Sequence, residues 1–483
     1  MIEIKNVSFS YGKEAKGNFI KDLNISFKKG QLVVICGESG CGKTTVSRLI
    51  NGLIPNFFKG KLSGVVTVDG VDITKKPLYE IAENTGSVFQ NPRSQFFNVD
   101  TDSELSFALE NLGYPKEKII KRVDTTVNEF QIERLLGKSL FKLSGGEKQM
   151  IACASVSAHT PEVIVLDEPS SNLDTRHIAV LKDIIRKWKL QGKTIVISEH
   201  RLYYLADIAD RFICLEKGSV LFDLPKDEVV KYKSETLNEM GLRTLNPFYL
   251  SYENSQVQSK DTLILKDFIF AYKNEKNCLN IKELTVPKGD VIGIIGTNGT
   301  AKSTLGRCLC GLEKVGTLSD GTQTLSYKDR LKECYMVMQD VNHQLFTESV
   351  RDELSISMQE DDIEKIDLIL SSLGLSQHNA KHPMSLSGGE KQRVAIATAL
   401  VSNREYIIFD EPTSGLDFKH MKQVAECIND LVKAGKTVFV ITHDIELICK
   451  CCNHIICIEK GQVSNQFNLN NETFKDLTKL FLV

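Results

Sequence analysis

The sequence predicts an α/β chain in which one unit is used twice, and three observations carry that prediction. The string LSGGEKQ occurs at Leu143 to Gln149 and again at Leu386 to Gln392, and each copy is followed by an apolar strand pattern ending in Asp-Glu-Pro. Leu143 and Leu386, Glu168 and Glu411, and His200 and His443 are each 243 residues apart, so the later part of each half repeats without insertion. Both halves also contain a strand, a glycine-rich turn and a helix in succession.

Size agrees with the repeat. A chain of 483 residues is too long for one comfortable core and fits two domains of roughly 200 to 250 residues. Composition is that of an ordinary globular protein, 42% hydrophobic and 25% charged, with 60 basic against 62 acidic residues and a formal charge of -2. That balance argues against a general nucleic-acid binder. No apolar stretch approaches the roughly 20 residues of a membrane-spanning helix. The start, MIEIKNVSFSYG, lacks the basic-then-apolar pattern of a secretory signal, so the chain is expected to stay in the cytosol. The cysteines are scattered, several inside apolar runs as with Cys36, Cys214 and Cys457, and are expected to be reduced, buried small side chains. The cluster Cys449, Cys451, Cys452 is a candidate for metal or redox chemistry, but no second cysteine pair or histidine at ligand spacing accompanies it.

The elements follow in order. Each half opens with alternating strand text, Ile2 to Tyr11 and Leu263 to Tyr272, and continues through a Lys-Gly turn into a buried strand, Leu32 to Gly37 and Val291 to Gly296. Helical text rich in Glu and Lys fills the middle, for example Asp102 to Asn111 and Ile363 to Leu373. A further apolar strand closes each core, Val163 to Asp167 and Tyr406 to Asp410. The join falls between Leu224 and Asp261, a polar stretch without a strong period that is expected to form a linker plus a closing helix. The expected division is a first domain over 1–235, a linker over 236–260 and a second domain over 261–483.

The first glycine-rich turn is GESGCGKTT, Gly37 to Thr45, directly after a buried strand. A triphosphate needs inward-pointing backbone amides, a lysine over the β and γ phosphates, and a hydroxyl on Mg²⁺. Gly37, Gly40 and Gly42 permit the tight loop, and Lys43, Thr44 and Thr45 supply the rest. The second turn, GTNGTAKST, keeps Gly296, Gly299, Lys302, Ser303 and Thr304 but places Ala301 where the first has Gly42. If that position needs positive φ, a strain of about 1 kcal/mol follows. The substitution is then either harmless or the mark of a weakened, non-hydrolytic second site.

Asp167 and Asp410 end their strands and are followed by Glu168 and Glu411. Two carboxylates at the end of a buried strand are costly unless a cation and a reacting water use them. The aspartates are therefore assigned to Mg²⁺, through water, and the glutamates to orienting or deprotonating the attacking water.

LSGGEKQ, the Asp-Glu-Pro strand, the following SSNLD (to Asp174) and TSGLD (to Asp417), and His200 and His443 together closely resemble ABC-type ATPases over essentially the whole chain. The resemblance implies two tandem P-loop ATPase domains, each a mixed sheet core plus a helical subdomain, binding ATP and Mg²⁺. It assigns Mg²⁺ contact to Gln90 and Gln339, γ-phosphate sensing to His200 and His443, and adenine stacking to Tyr11 and Tyr272. It also implies a head-to-tail arrangement. One nucleotide would lie between Lys43 and its neighbours and Ser387, Gly388 and Gly389, the other between Lys302 and its neighbours and Ser144, Gly145 and Gly146. The Ala301 site would then also take the signature in which Met150 replaces Arg393, which favours the Lys43 site as the better hydrolase.

QNPRSQFFNVDTDSEL (Gln90 to Leu105) and QDVNHQLFTESVRDEL (Gln339 to Leu354), 249 residues apart, resemble the corresponding segment of ATPases from energy-coupling factor vitamin importers. GLIPNFFKGKLSG and SEHRLYYL in the first half are similar to fused, two-in-one versions of them. This implies a peripheral motor on the cytoplasmic face of a membrane, with a transmembrane coupling protein and a substrate-binding membrane protein as partners and no nucleic acid. Phe96, Phe97, Leu345 and Phe346 would line the groove receiving that partner. Thiamine precursors, other vitamins, nickel and cobalt stay open as cargo. A soluble tandem ATPase acting on ribosomes or nucleic acid, and an ATP-responsive regulator, are the alternatives. The consequence of Arg201 after His200, where the second half has Asp444, does not follow from the sequence.

Overall fold

The computed structural model describes residues 2–12, 19–171, 173–252, 261–272, 278–358 and 362–481. The chain divides into two units, Met1–Asn246 and Pro247–Val483.

In the first unit the strand Leu32–Gly37 is buried along its whole length. It lies in a six-stranded sheet ordered Ser219–Pro225, Arg211–Glu216, Leu32–Gly37, Thr194–Ser198, Val163–Asp167, Thr85–Val88. The strands pair in parallel except at the Ser219–Pro225 edge. Both faces are covered, which is why the central strand reads as unbroken apolar text instead of alternating. Leu32, Val34 and Cys36 join the core under the helices, while Val33 and Ile35 join the core under a second, antiparallel sheet, as the two-residue period of a strand requires. That second sheet is ordered Ile20–Phe27, Ile2–Tyr11, Gly60–Val68, Val71–Asp72.

The second unit repeats the plan. Its six strands run Gln462–Asn468, His454–Glu459, Val291–Ile295, Thr437–Ile441, Tyr406–Asp410, Cys334–Val337. Its antiparallel sheet ends in the short pieces Thr317–Ser319 and Thr324–Leu325. Each unit also carries a helical part: Thr101–Asn111, Lys116–Phe130 and Gly145–Ala158 in the first, and Val350–Ser355, Ile363–Ser372 and Gly388–Val401 in the second. In both units the strands that carry chemistry finish on the same sheet edge, with Asp167 in register with Ser198 and Asp410 with Ile441. Ligands bind in this crevice beyond the carboxyl ends in open parallel sheets.

The described apolar residues of the expected linker, 236–260, go to the two cores. Helix Ser234–Glu239 buries Leu237, and Leu242 and Leu245 join the same first-unit core. Pro247–Tyr249 opens the second unit, where Leu250 and Tyr252 pack on its core and the Tyr252 hydroxyl donates to the Cys452 carbonyl at 3.0 Å. Residues 253–260 of that segment lie outside the described residues. Cys449, Cys451 and Cys452 are buried in the second core. Among the described residues no helix is long and apolar enough to cross a membrane.

Candidate functional site

The glycine-rich loop leaves the buried edge of Leu32–Gly37 and enters helix Lys43–Ile50. Gly37 has φ 136°, and a Cβ there would stand 2.3 Å from the Leu215 carbonyl oxygen. Gly296 repeats this at φ 150° and 2.2 Å from the Ile458 oxygen, so only glycine fits where the loop crosses the neighbouring strand. The Lys43 ammonium is buried and donates to the carbonyls of Gly37 (3.0 Å) and Glu38 (3.1 Å). Lys302 does the same with Gly296 (2.7 Å) and Thr297 (3.0 Å). Each cation is thus folded over its own loop, poised to exchange carbonyls for phosphate oxygens.

Ala301 adopts φ 74° and ψ 24° at the start of helix Lys302–Leu309. Gly42, its counterpart, has φ 115° and ψ 5°. The position does need positive φ, and the alanine is held there at a cost of about 1 kcal/mol. The second loop nevertheless places its lysine as the first does. Gly40 and Gly299 share φ near 80°.

Beyond the loop stand the carboxylates. Thr44 Oγ1 donates to Asp167 Oδ1 at 3.2 Å, and the Ser303 hydroxyl beside Asp410 favours its charged form. Burial, and next the adjacent Glu168, push Asp167 up to about 6. Burial raises Asp410 as well. Asp410 Oδ1 is buried with no hydrogen-bond partner among the described residues. An orphaned carboxylate oxygen beside a hydroxyl, with its charged form disfavoured, is what a divalent cation would satisfy, so the residues present fit Mg²⁺.

Glu168 and Glu411 sit at φ 45° and 51°, in the left-handed region. The strain is held by their N–H groups, which donate to Ser198 O and Ile441 O, each at 2.8 Å. The result turns each side chain out of its strand. Gln90 Nε2 donates to Glu168 Oε2 at 2.6 Å, and His200 Nε2 lies 3.3 Å from Oε1. In the second unit His443 Nε2 lies 3.5 Å from Glu411 Oε1, and its backbone N–H donates to Oε2 at 3.3 Å. Gln339 follows the strand Cys334–Val337 and is exposed.

Ser144 and Ser387 cap the helices Gly145–Ala158 and Gly388–Val401. Each makes a reciprocal capping box with the acid three residues on, Glu147 or Glu390. Gly145 and Gly146, and Gly388 and Gly389, form the first turns, whose free N–H groups and dipole suit an anion. Met150 is buried in the first core, whereas Arg393 is a buried cation whose Nε has no partner among the described residues.

The Tyr11 hydroxyl lies 3.0 Å from Thr45 Oγ1 and accepts from Arg48 at 3.0 Å, and its ring meets Phe9, Phe19 and Phe58 edge-on. Tyr272 is 3.4 Å from Thr304 Oγ1 and edge-on to Phe270. Of the four expected groove residues, two are core: Leu345 is buried and Phe96 is half-buried against the helical core. Phe97 and Phe346 are 77% and 71% exposed. Their loops are pinned identically. Glu104 Oε2 accepts the N–H of Phe97 and Asn98, and Glu353 Oε2 accepts those of Phe346 and Thr347.

Sequence reasoning missed one paired feature. Asp174 Oδ1 accepts from the His177 backbone (2.8 Å) and stands 2.6 Å from its Nδ1; Asp417 and His420 repeat both contacts at 2.8 Å. The Asp-x-x-His spacing in both copies was the available signal.

Two phosphate loops, each facing a strand-end Asp-Glu pair and a histidine, define a tandem P-loop nucleotide-binding protein. The ABC transporter family pattern matches residues 20–171 and 279–414. A Treponema denticola protein carrying the name ABC transporter ATP-binding protein is 43% identical, with 98% of this chain and 100% of the relative covered. A Lactobacillus johnsonii protein of the same name is 32% identical over 96% of this chain and 89% of its own length. Among solved structures, the archaeal ribosome recycling factor aABCE1, in complex with ribosomal stalk protein aP1, matches with TM-score 0.68 and 22% identity, covering 98% of this chain and 92% of that one. At that identity the likeness is one of fold. The chain belongs to the ABC transporter family, as a tandem ATPase.

Proposed function

We propose that this ATPase is the motor of an energy-coupling-factor type importer, working at the cytoplasmic face of a membrane on a vitamin or related micronutrient. The observation that carries the reading is the pair Phe97 and Phe346, exposed at equivalent places just after Gln90 and Gln339. Each is held outward by a buried glutamate. An aromatic ring kept in water by its own loop is a binding group. The partners are a transmembrane coupling protein and a substrate-binding membrane protein.

In the first site Lys43 and the loop amides hold phosphate oxygens, and Tyr11 packs on the base. Thr44, Gln90 and, through water, Asp167 would hold Mg²⁺, which would neutralise phosphate charge when bound. Glu168 orients or deprotonates the attacking water, and His200 contacts the γ-phosphate. Lys302, Ser303, Asp410, Gln339, Glu411, His443 and Tyr272 take these roles in the second. In this reading the halves pair head-to-tail, so that Ser387, Gly388 and Gly389 complete the first site and Ser144, Gly145 and Gly146 the second.

The test is co-expression with an integral membrane subunit, followed by fractionation and ATP-dependent uptake in proteoliposomes. Membrane association that requires the hydrophobic partner, together with uptake, supports the reading. Co-sedimentation with ribosomes and no membrane association overturns it in favour of a soluble tandem ATPase.

A further inference from the structure

The two copies differ around their histidines. The first reads Ser198-Glu199-His200-Arg201 and the second Ile441-Thr442-His443-Asp444, so an acid precedes the histidine in one and follows it in the other. Glu199 is 2% exposed, and its carboxylate accepts four hydrogen bonds. Oε1 takes the Ser170 N–H (3.2 Å) and the Tyr204 hydroxyl (2.9 Å); Oε2 takes the N–H groups of His200 (2.8 Å) and Arg201 (3.3 Å). Arg201 Nη1 then donates to the carbonyls of Leu173 (3.0 Å) and Ser170 (3.4 Å). The segment after Asp-Glu-Pro is therefore tied to the histidine turn by one buried acid and one guanidinium.

In the second unit Asp444 makes the same link from the other side. Its Oδ2 accepts from Thr413 Oγ1 at 2.7 Å, and Oδ1 accepts the N–H groups of Glu446 (3.1 Å) and Leu447 (3.3 Å). Thr413 lies 243 residues after Ser170 and so occupies its place. Thr442, in the place of Glu199, accepts the Asp444 N–H at 3.0 Å. Each copy buries a carboxylate here, at a desolvation cost that only a full set of donors offsets.

We propose that Glu199, with Arg201, is a positioning residue for the His200–Glu168 pair, and that Asp444 is its exchanged counterpart for His443 and Glu411. His200 and Glu168 lie on separate strand ends, and their 3.3 Å approach depends on how the two following turns are held together. Glu199 holds those turns. The inference rests on His200 and Glu168 being the reacting pair of the first site.

The test is a swap in the full chain, with kcat and KM for ATP measured per nucleotide bound. E199T alone removes the acceptor for four donors, and R201D alone sets a second carboxylate beside Glu199. Each is expected to lower kcat about tenfold with KM changed less than about twofold. E199T/R201D copies the Thr442–His443–Asp444 arrangement and offers a carboxylate to the Ser170 hydroxyl. It is expected to recover to within about threefold of the parent. Multiplied losses in the double variant, single variants equal to the parent, or kcat and KM moving together with melting temperature each overturn the proposal. If either single variant fails to fold, the melting temperature decides: recovery in the double supports the exchange, and a further loss overturns it. Glu168→Gln separates the levels. Unchanged turnover there removes the assignment of the whole site, whereas lost turnover without recovery in the double variant removes only this inference.

Discussion

Gln90 donates to Glu168 Oε2 at 2.6 Å while His200 stands 3.3 Å from Oε1, so one carboxylate is gripped from two sides. Its backbone is strained to φ 45° to present it. Such an arrangement fixes a proton acceptor in a single direction. Glu168→Gln keeps the shape and removes the charge. Nucleotide affinity is expected to stay within about threefold, and the double variant with Glu411→Gln to lose on the order of 100-fold in turnover. Because the Ala301 loop is the strained one, Glu168→Gln alone is expected to cost more steady-state turnover than Glu411→Gln alone.

Gly42 and Ala301 hold the same place in the two loops, yet substitution is not symmetric. Gly42, at φ 115°, lies outside the small left-handed well that alanine tolerates, and its new Cβ would meet Ile20 Cδ1 at 2.6 Å. Gly42→Ala is expected to destabilise by about 1–2 kcal/mol. Ala301, at φ 74°, is already near that well. Ala301→Gly relieves about 1 kcal/mol and gives back a similar amount through the more flexible unfolded chain, for a net change near zero. Urea unfolding of both variants checks the contrast.

The sequence resolved what repeats and what is chemically costly. The strands Leu32–Gly37, Val163–Asp167 and Tyr406–Asp410 appear at their predicted bounds because unbroken apolar runs ending in glycine or acid have few other fates. Within the stretch expected to hold the join, Leu242 and Leu245 are isolated apolar residues that find a core only in three dimensions. Leu345 and Phe346 are adjacent apolar letters, and which one faces inward is decided by Glu353 reaching back to the loop, a contact that spacing does not reveal. The Glu199–Asp444 exchange was visible as letters and opaque as function, since its meaning lies in Ser170 and Thr413, far along the chain.

His159 gives the first unit an acid-sensitive point. Both ring nitrogens are buried without a hydrogen-bond partner among the described residues. Burial first, then Lys193 and Arg122, lower it to about 4. The unfolded chain binds the proton near pH 6.5 and the folded one near 4, so the stabilisation is complete above about 6.5 and lost as pH falls through about 4. The loss is on the order of 3 kcal/mol. His159→Gln is expected to flatten the pH dependence of the first unit's urea transition between about pH 6.5 and about pH 4. An unchanged slope would mean that the imidazole is solvated.

Phe97 stacks on Phe107 with ring centroids 4.9 Å apart, and both Phe97 and Phe346 remain mostly in water. Replacing an exposed ring removes little buried area, so Phe97→Glu and Phe346→Glu are expected to change stability by less than about 0.5 kcal/mol. If a membrane subunit docks there, each loses an aromatic anchor worth about 2 kcal/mol or more of binding, on the order of 30-fold. Leu345→Ala is the opposite case. It empties a core position and is expected to cost about 2–4 kcal/mol of stability. Co-purification with the membrane partner, set against melting temperature, separates the two classes. Phenylalanine variants that keep the partner, or that melt early, would move the docking surface away from these loops.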